Sequence, residues 1–287
     1  MSADGNARGT SSSSRLRAWF LTPAATLMLA TLAVPLAIVA AYSFLSRGAY
    51  GGVEAPWTSE NYVRLFDPLY GGIFLRSVWI SLLATAGCLI LGFPLALFIA
   101  GSGTRKNLYL ALVILPFWTS FLIRLYAWMF LLRDTGLINT VLLSLGLIHA
   151  PLPLLYNQGA VILGLVYGYL PFAVLPLYAT LERQDPALLD AAADLGATPM
   201  QALTRVTIPL ALPGILAASV LVFVPCVGTY IVSDLLGGSK TVLIGNLVHN
   251  QFTASRDWPF GAAASMILIA AAVSVLVLMR RSREELL

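Results

Sequence analysis

The chain contains few side chains of the types that carry out acid–base, nucleophilic or metal chemistry. His149 and His249 are its two histidines, and neither belongs to an H-E-x-x-H pair or a triad-like cluster. The segment Gly238-Ser239-Lys240-Thr241 lacks the G-x-x-x-x-G-K-[ST] pattern of a phosphate-binding loop. Cys88 and Cys226 lie in apolar runs without ligand-like neighbours, which predicts small core residues and no metal site. We therefore expect no enzyme activity and no cofactor in this chain.

Two charged side chains are candidates for contact with a charged ligand. Arg124 lies deep in an apolar run, and if that run crosses a membrane its guanidinium needs a partner or water. A gate in a solute pathway and a structural arginine paired with a carbonyl both fit this position. Asp234, near Tyr230, carries a carboxylate that suits an ammonium group, although it could be an ordinary acid at a helix end. Three aromatic side chains offer cation–π faces or an interfacial belt: Trp118, Tyr126 and Trp128.

The composition decides which elements must position these residues. Hydrophobic residues make up 59% of the 287-residue chain and charged residues 10%, whereas soluble domains carry about 25% charged residues. Such a chain cannot cover its apolar surface with a polar exterior, and membrane lipid can act as its solvent instead. The net charge of +4 is scattered between apolar runs, which indicates loop charges and argues against a nucleic-acid partner.

Six apolar runs are each long enough, at about 20 residues or more, to cross a bilayer as a helix. The predicted fold is therefore an all-α, polytopic membrane protein with about six transmembrane helices. The runs cover residues 18–46, 77–104, 108–132, 161–181, 212–233 and 259–279. The first exceeds a signal-peptide core, so an uncleaved helix is favoured over a signal peptide. The run 137–147 is too short to span and predicts a short packed helix.

The segments between these runs complete the predicted organisation. A polar, serine-rich tail at 1–17 is expected to be disordered and cytoplasmic, and 47–76 forms an outer loop. Residues 77–280 form a core of five helices that includes the 182–210 loop, and 281–287 form a second cytoplasmic tail. Ten Lys and Arg residues fall on the two tails, the 101–107 turn and the 182–210 loop, against six on the alternate segments. Because positive residues favour the cytoplasmic side, both termini are predicted to be cytoplasmic.

The 182–210 loop contains the clearest helix-start and helix-stop signals. Asp185 followed by Pro186 suits an N-cap with proline at the first helical position, and apolar residues within 188–195 could share one face. Gly196 suits a left-handed C-cap, and Thr198-Pro199-Met200-Gln201 reads as a capping box that starts a second helix. We expect two short helices joined by a glycine turn and ending before Pro209. This shape fits a docking surface or an ordinary amphipathic connector.

The same loop resembles the EAA motif of ABC importer permeases, whose pattern is E-A-A-x3-G-x9-I-x-L-P. Here the pattern appears as Asp190-Ala191-Ala192, Gly196 and Val206-Thr207-Ile208-Pro209, with Asp, Val and Ile as conservative replacements. The resemblance implies a type I ABC importer permease fold. It also implies that Asp190, Ala191, Ala192, Gly196, Val206 and Pro209 couple the chain to an ATPase.

Other segments resemble the B-type permease subunit of spermidine/putrescine importers. They are Asn61-Tyr62-Val63-Arg64-Leu65-Phe66-Asp67-Pro68-Leu69-Tyr70, Pro116-Phe117-Trp118-Thr119 with Leu122-Ile123-Arg124, Val232–Gly238 with Leu243-Ile244-Gly245-Asn246, and Gln251-Phe252 with Arg256–Ala263. This resemblance implies an importer of polyamines in a bacterial inner membrane. Under it, the substrate-pathway candidates are Asp234, Tyr230, Trp118, Trp128 and Arg124.

The resemblance also implies a set of partners. These are a second homologous permease, two copies of a cytoplasmic ABC ATPase that bind ATP and Mg, and an extracytoplasmic solute-binding protein. ATP-driven movement of the 182–210 loop would then produce alternating access. Three alternatives remain: a permease for another small organic solute, an ion-coupled secondary transporter, and a membrane scaffold. The secondary transporter lacks support because no acid lies in the middle of a predicted span.

Overall fold

A computed structural model describes residues 9–284 as a bundle of helices with one short hairpin. In chain order the helices are α1 (Gly9–Ser43), α2 (Glu60–Leu65), α3 (Pro68–Ala100), α4 (Lys106–Ile114), α5 (Phe121–Leu132), α6 (Leu137–Ser144), α7 (Gln158–Leu181), α8 (Pro186–Asp194), α9 (Pro199–Ala202), α10 (Ile208–Gly228), α11 (Ile244–Phe252) and α12 (Trp258–Glu284). The strands are β1 (Leu45–Arg47) and β2 (Val53–Trp57), which pair antiparallel.

Within the described range, five helices are long and apolar enough to cross a membrane by length and composition: α1, α3, α7, α10 and α12. The remaining predicted span, 108–132, is not one continuous helix. Its α4 half continues as a 3-10 turn to Trp118, and the helix that resumes at Phe121 is bent by 86°. Thr119 has an extended backbone at the break. Taken together, the two bent halves count as a sixth candidate span, and the break between them was not predicted because hydropathy records polarity and not backbone continuity. The short helix predicted at 137–147 is confirmed as α6.

The ends of the outermost helices differ from the predicted boundaries. Helix α1 begins at Gly9, so the segment 1–17 is helical from that residue on, and residues 1–8 lie outside the described range. Serine and arginine are compatible with helix that extends an apolar helix already formed. Likewise α12 continues to Glu284, through the start of the predicted tail 281–287, of which residues 285–287 are not described.

The predicted outer loop 47–76 is shorter than expected because α3 begins at Pro68. The Asp67 side chain caps this helix by accepting a hydrogen bond from the Leu69 N–H at 2.9 Å, and proline occupies the first position. At the other edge of the loop, α1 ends at Ser43 and the chain enters β1, so the predicted first span 18–46 loses its last residues to the hairpin.

The core lies where α3, α7 and α10 pack together. Its fully buried side chains are mostly aliphatic and small, which lets the three helices approach closely. They include Ile80, Ala84, Cys88, Val161, Leu165, Val174, Leu177, Ala218, Val222 and Cys226. Both cysteines are free and buried, as predicted. Helix α1 packs mainly on α12 and leaves many of its apolar side chains exposed.

The end of the bundle opposite the 182–210 loop is closed by contacts between the hairpin region, residues 44–67, and the segment 253–257. Arg64 forms an ion pair with Asp257 at 3.0 Å, and its guanidinium lies 4.3 Å from the centre of the Phe260 ring. Arg47 donates to the Ser255 carbonyl at 2.8 Å, and the Gly52 N–H donates to the Arg256 carbonyl at 3.0 Å. These contacts join two stretches of sequence that lie about 200 residues apart. We call this end of the bundle, formed by residues 44–67 and 253–257, the hairpin end.

The predicted fifth span, 212–233, is also interrupted. Helix α10 ends at Gly228, Thr229 is extended, and the chain then forms a π-helical turn at Ser233–Gly237 followed by a 3-10 turn at Gly238–Lys240. The spacing of apolar residues does not distinguish this arrangement from a single helix. Its consequence is that Asp234 lies on a separate turn instead of at the end of a span.

Candidate functional site

The 182–210 loop folds into the two short helices that its capping signals predict. Asp185 caps α8 by accepting a hydrogen bond from the Ala187 N–H at 3.0 Å. Thr198 and Gln201 form a complete capping box at the start of α9. Gly196 has φ +81°, and two C-terminal hydrogen bonds close the turn: its own N–H to Ala193 at 2.8 Å, and the next N–H to Ala192 at 3.0 Å. These are the two bonds of a Schellman motif.

This loop exposes an apolar surface flanked by charged residues. Five large apolar side chains within residues 182–210 are exposed, and Leu195 is 89% exposed. They are Leu188, Leu189, Leu195, Met200 and Leu210. Among the predicted coupling residues, Asp190, Ala191 and Gly196 are exposed, whereas Ala192 is half-buried. An apolar surface with a polar rim is typical of a protein-binding site.

Two polar contacts tie the loop to the long helices. Lys106 and Glu182 form an ion pair, and the hydrogen bond from Lys106 holds the pKa of the Glu182 carboxyl below its usual range. Gln184 donates to the carbonyl of Thr207 at 3.1 Å, and Thr207 is buried. These contacts join the loop to α4 and to Thr207, the residue before α10.

The predicted break at Pro209 is replaced by a π-helical turn. Residues Leu203–Thr207 widen into this turn, and the helix then continues as α10, with Val206 half-buried and Pro209 exposed. Proline lacks an N–H and its ring crowds the carbonyl four residues earlier. Widening the preceding turn accommodates the ring without ending the helix. The expectation that the second short helix stops before Pro209 is therefore wrong.

The candidate pathway residues Tyr230 and Asp234 lie together at the interruption after α10. The Asp234 N–H donates to the Tyr230 carbonyl at 3.0 Å, and the Asp234 side chain is exposed and accepts a hydrogen bond from Asn246. The Tyr230 ring stacks on His249 with 4.2 Å between ring centres and 8° between planes. Within residues 9–284, the ion pairs are Arg64–Asp257 and Lys106–Glu182, so Asp234 forms no ion pair with a described cationic side chain.

The remaining candidates lie on either side of the bend between α4 and α5. The Arg124 guanidinium lies 4.1 Å from the Phe117 ring centre and 5.7 Å from that of Phe121, and it donates to the Pro116 carbonyl at 3.3 Å. Its Nε is buried without a hydrogen-bond partner among the described residues. Arg124 therefore bridges the break and shares the Pro116 carbonyl with the Thr119 hydroxyl, which donates to it at 2.7 Å, and these contacts favour the structural interpretation. Its role as a gate stays a prediction.

The aromatic candidates differ in how they are held. Trp118 is 85% exposed and Tyr126 is exposed, whereas Trp128 packs edge-on against Tyr167 at 5.5 Å. Helix α5 also packs against the Ser233–Gly237 turn, so the two groups of candidates lie on neighbouring elements. Their contact with a solute is untested by these distances.

Sequence reasoning missed the residues that hold Asp234 and Tyr230 in place, Asn246 and His249. They lie three residues apart and therefore on one face of α11, which carries an amphipathic pattern that could have been recognised. Among the described residues, no group of three His, Cys, Asp or Glu side chains could hold a metal ion.

The apolar helices, the interrupted spans and the exposed two-helix loop together define a multi-pass membrane transport protein. Residues 89–282 match the family described as binding-protein-dependent transport system inner membrane component, and the chain belongs to this family. It is therefore a permease subunit and a multi-pass inner membrane protein. The family and the fold predicted from the loop motif are confirmed.

Two relatives and one solved structure show how far the similarity extends. The spermidine/putrescine transport system permease protein PotB of Escherichia coli (strain K12) is 46% identical over 252 residues, covering 87% of this chain and 92% of PotB. PotB of Haemophilus influenzae is 44% identical over 234 residues, covering 81% and 82%. The crystal structure of a bacterial alginate ABC transporter in complex with a periplasmic protein bound to an alginate pentasaccharide has a chain with TM-score 0.71 and 20% identity, covering 93% and 94%. At that identity the structural likeness supports the fold alone.

Proposed function

We propose that this chain is one of two permease subunits of an ATP-driven importer of polyamines, with spermidine and putrescine as the expected solutes. The observation that carries the proposal is the 46% identity to PotB over 87% of the chain. The exposed carboxylate of Asp234 agrees with a cationic solute. The partners in this proposal are a second homologous permease, two copies of a cytoplasmic ATPase that bind ATP and Mg, and an extracytoplasmic solute-binding protein.

In the proposed mechanism, the ATPase binds the exposed apolar surface of the 182–210 loop. When ATP draws the two ATPase copies together, the loop moves with them. The Lys106–Glu182 ion pair and the Gln184–Thr207 hydrogen bond transmit this movement to the bundle. The helices then rock between the two access states, and the binding protein supplies the affinity for the solute.

Asp234 and its aromatic neighbours are proposed to lower the barrier for a cation that passes through the bundle. A carboxylate without a compensating cation attracts ammonium groups, and ring faces add cation–π attraction. Arg124 repels a polyamine by charge, so it is not expected to touch the solute directly. A transfer pathway benefits from weak contacts, because tight binding would retain the solute.

Replacing Asp234 by Asn is expected to reduce polyamine uptake several-fold and to leave complex assembly and basal ATPase activity intact. The change removes the charge and keeps the size and much of the hydrogen bonding. An exposed ion pair contributes about 0.2–1 kcal/mol, and more where water is partly excluded. The measurement is uptake of labelled spermidine and putrescine, normalised to the assembled complex that co-purifies with the tagged chain.

Two matched variants control for this experiment. Glu60→Gln removes an exposed carboxylate from α2 and is expected to leave uptake unchanged. Lys240→Gln tests the alternative that Asp234 acts only by interacting with a nearby cation. Under this alternative, Lys240→Gln should show the same uptake defect as Asp234→Asn. Unchanged uptake in Asp234→Asn removes this residue from the pathway. Uptake that persists after loss of the partner ATPase or depletion of ATP contradicts the importer itself and favours an ion-coupled transporter.

The proposed orientation places both termini in the cytoplasm. In this orientation, cysteines introduced at Ser12, Gly103 and Arg283 are expected to resist an impermeant thiol reagent added to intact cells, whereas cysteines at Gly51 and Ser239 react. The native Cys88 and Cys226 are buried and provide a silent background. Reaction at the first three sites with protection of the other two reverses the topology.

A further inference from the structure

Asn246 lies at the centre of the interruption after α10 and uses its amide group fully. The residue is buried, with 4% of its surface exposed. Its Nδ2 donates to the Tyr230 carbonyl at 3.2 Å and to Oδ1 of Asp234. Its Oδ1 accepts from the Leu243 N–H at 3.0 Å and from the Ser233 hydroxyl. A primary amide offers two donor hydrogens and two acceptor lone pairs, so none is left unused.

Helix α11, which carries Asn246, is held in place by contacts that do not involve Asp234. The Ile244 N–H donates at 2.8 Å to the hydroxyl of Ser77 on α3, which itself donates to the Ile73 carbonyl at 2.8 Å. Gly245 lies directly on the chain at the end of α10, since a Cβ there would stand 2.6 Å from the carbonyl oxygens of Gly228 and Thr229. Helix α11 therefore cannot shift away from the interruption without breaking several contacts.

We propose that Asn246 is a positioning residue that orients the Asp234 carboxylate toward the solute; the inference rests on the pathway role proposed for Asp234. The amide holds Oδ1 from the buried side, which leaves Oδ2 available on the exposed side. A neutral donor fixes the carboxylate without cancelling its charge, whereas a lysine or arginine in the same place would neutralise it. The Asp234 side chain is thus held in one orientation while its full negative charge remains available.

A purely structural role for Asn246 is the competing explanation, because the amide also satisfies the Tyr230 carbonyl and the start of α11. The two roles differ in their dependence on the Asp234 charge. If Asn246 acts by positioning Asp234, replacing Asn246 has no further effect on uptake once the charge of Asp234 has been removed. A structural contribution persists whether residue 234 is Asp or Asn.

The test is a double-mutant cycle in the complete complex, reconstituted in lipid and assayed with spermidine. Asn246→Ala is expected to lower uptake and spermidine-stimulated ATPase activity per assembled complex by about fivefold, the size expected for the net contribution of one ordinary hydrogen bond. The basal ATPase rate is expected to stay unchanged. In the Asp234→Asn background, Asn246→Ala should cause no further loss. Equal losses in both backgrounds overturn the proposal.

Asn139→Ala is the matched control. Asn139 is a buried amide that also ties two segments together, donating to the carbonyls of Arg133 and Leu152 and accepting from the Leu152 N–H. It is expected to reduce the yield or thermal stability of the complex and to leave uptake per assembled complex normal. A loss equal to that of Asn246→Ala assigns the effect to general loosening and overturns the proposal.

A milder variant keeps the test decisive if Asn246→Ala fails to assemble. Ser233→Ala removes the hydroxyl that lies within hydrogen-bond distance of the Asn246 amide oxygen and of the Tyr230 carbonyl. Its predicted effect is a smaller loss of uptake that disappears in the Asp234→Asn background. The outcomes also separate the two proposals. Normal uptake in Asp234→Asn removes the pathway role of Asp234 itself. A defect in Asp234→Asn together with normal uptake in both Asn246→Ala and Ser233→Ala removes only the positioning role.

Discussion

Gly196→Val is expected to abolish co-purification of the ATPase and solute uptake while the permease remains in the membrane. Gly196 has φ +81°, a region in which a side chain with a Cβ costs about 1–2 kcal/mol and a β-branched one more. No atom would meet the new Cβ, so the cost arises from the backbone alone. The chain relieves it by opening the Schellman turn, which separates α8 from α9 and disperses the exposed apolar surface.

Gly146→Val provides a matched comparison for this variant. Gly146 ends α6 with φ +70° and open space around it, and the same two C-terminal hydrogen bonds close its turn at 3.0 Å each. The local strain is therefore the same in kind, but the turn lies outside the 182–210 loop. Gly146→Val should retain the ATPase. Normal ATPase recovery with Gly196→Val would show that the loop is not the docking element.

The second large effect is expected from Arg64→Ala, which should lower the thermal stability of the purified protein markedly. The Asp257 side chain is 3% exposed and has Arg64 as its cationic partner. Removal of Arg64 leaves the buried Asp257 carboxylate without its cation. Breaking a fully buried pair in this way costs about 3–5 kcal/mol, and because the Arg64 side chain is 40% exposed we expect a smaller cost here. The cation–π contact with Phe260 is lost as well. The measurement is the midpoint of thermal unfolding in detergent or lipid nanodiscs.

Lys106→Ala is the appropriate control because its ion pair with Glu182 is exposed at both ends. Lys106→Ala also removes one cation from an ion pair, but it should change the unfolding midpoint little, because water can solvate the Glu182 carboxylate that remains. Similar midpoints for Arg64→Ala and the unaltered protein would mean that the hairpin end does not contribute to stability. A large drop for both variants would show that burial does not decide the effect.

The features predicted correctly from the sequence depend on local signals. Asp185-Pro186, the Thr198–Gln201 capping box and Gly196 each specify backbone geometry within a few residues, and all three form as predicted. The number of apolar runs was also informative, because lipid selects long apolar helices by composition. Both kinds of signal act without knowledge of tertiary contacts.

The features that were missed depend on contacts between distant segments. The bend at Thr119 and the interruption at Thr229 occur inside uniformly apolar sequence, where a hydropathy pattern cannot register a change of backbone direction. Arg124 and Asn246 donate to the carbonyls of Pro116 and Tyr230 next to these breaks, and those contacts become visible only in three dimensions. Likewise, Arg64 and Asp257 are 193 positions apart, and neither segment alone predicts that they meet.

The π-helical turn at Leu203–Thr207 also determines the direction in which the exposed apolar surface of the 182–210 loop points. A π turn contains one residue more than an α turn, and each residue of an α-helix rotates the chain by about 100°. The extra residue therefore sets the azimuth of α8 and α9 around the axis of α10. Insertions or deletions of one residue between Gly196 and Pro209 would rotate the exposed Leu195 to another side of the bundle. The number of residues in this connection thus fixes the direction of the surface, which restricts the insertions and deletions that it can accept during evolution.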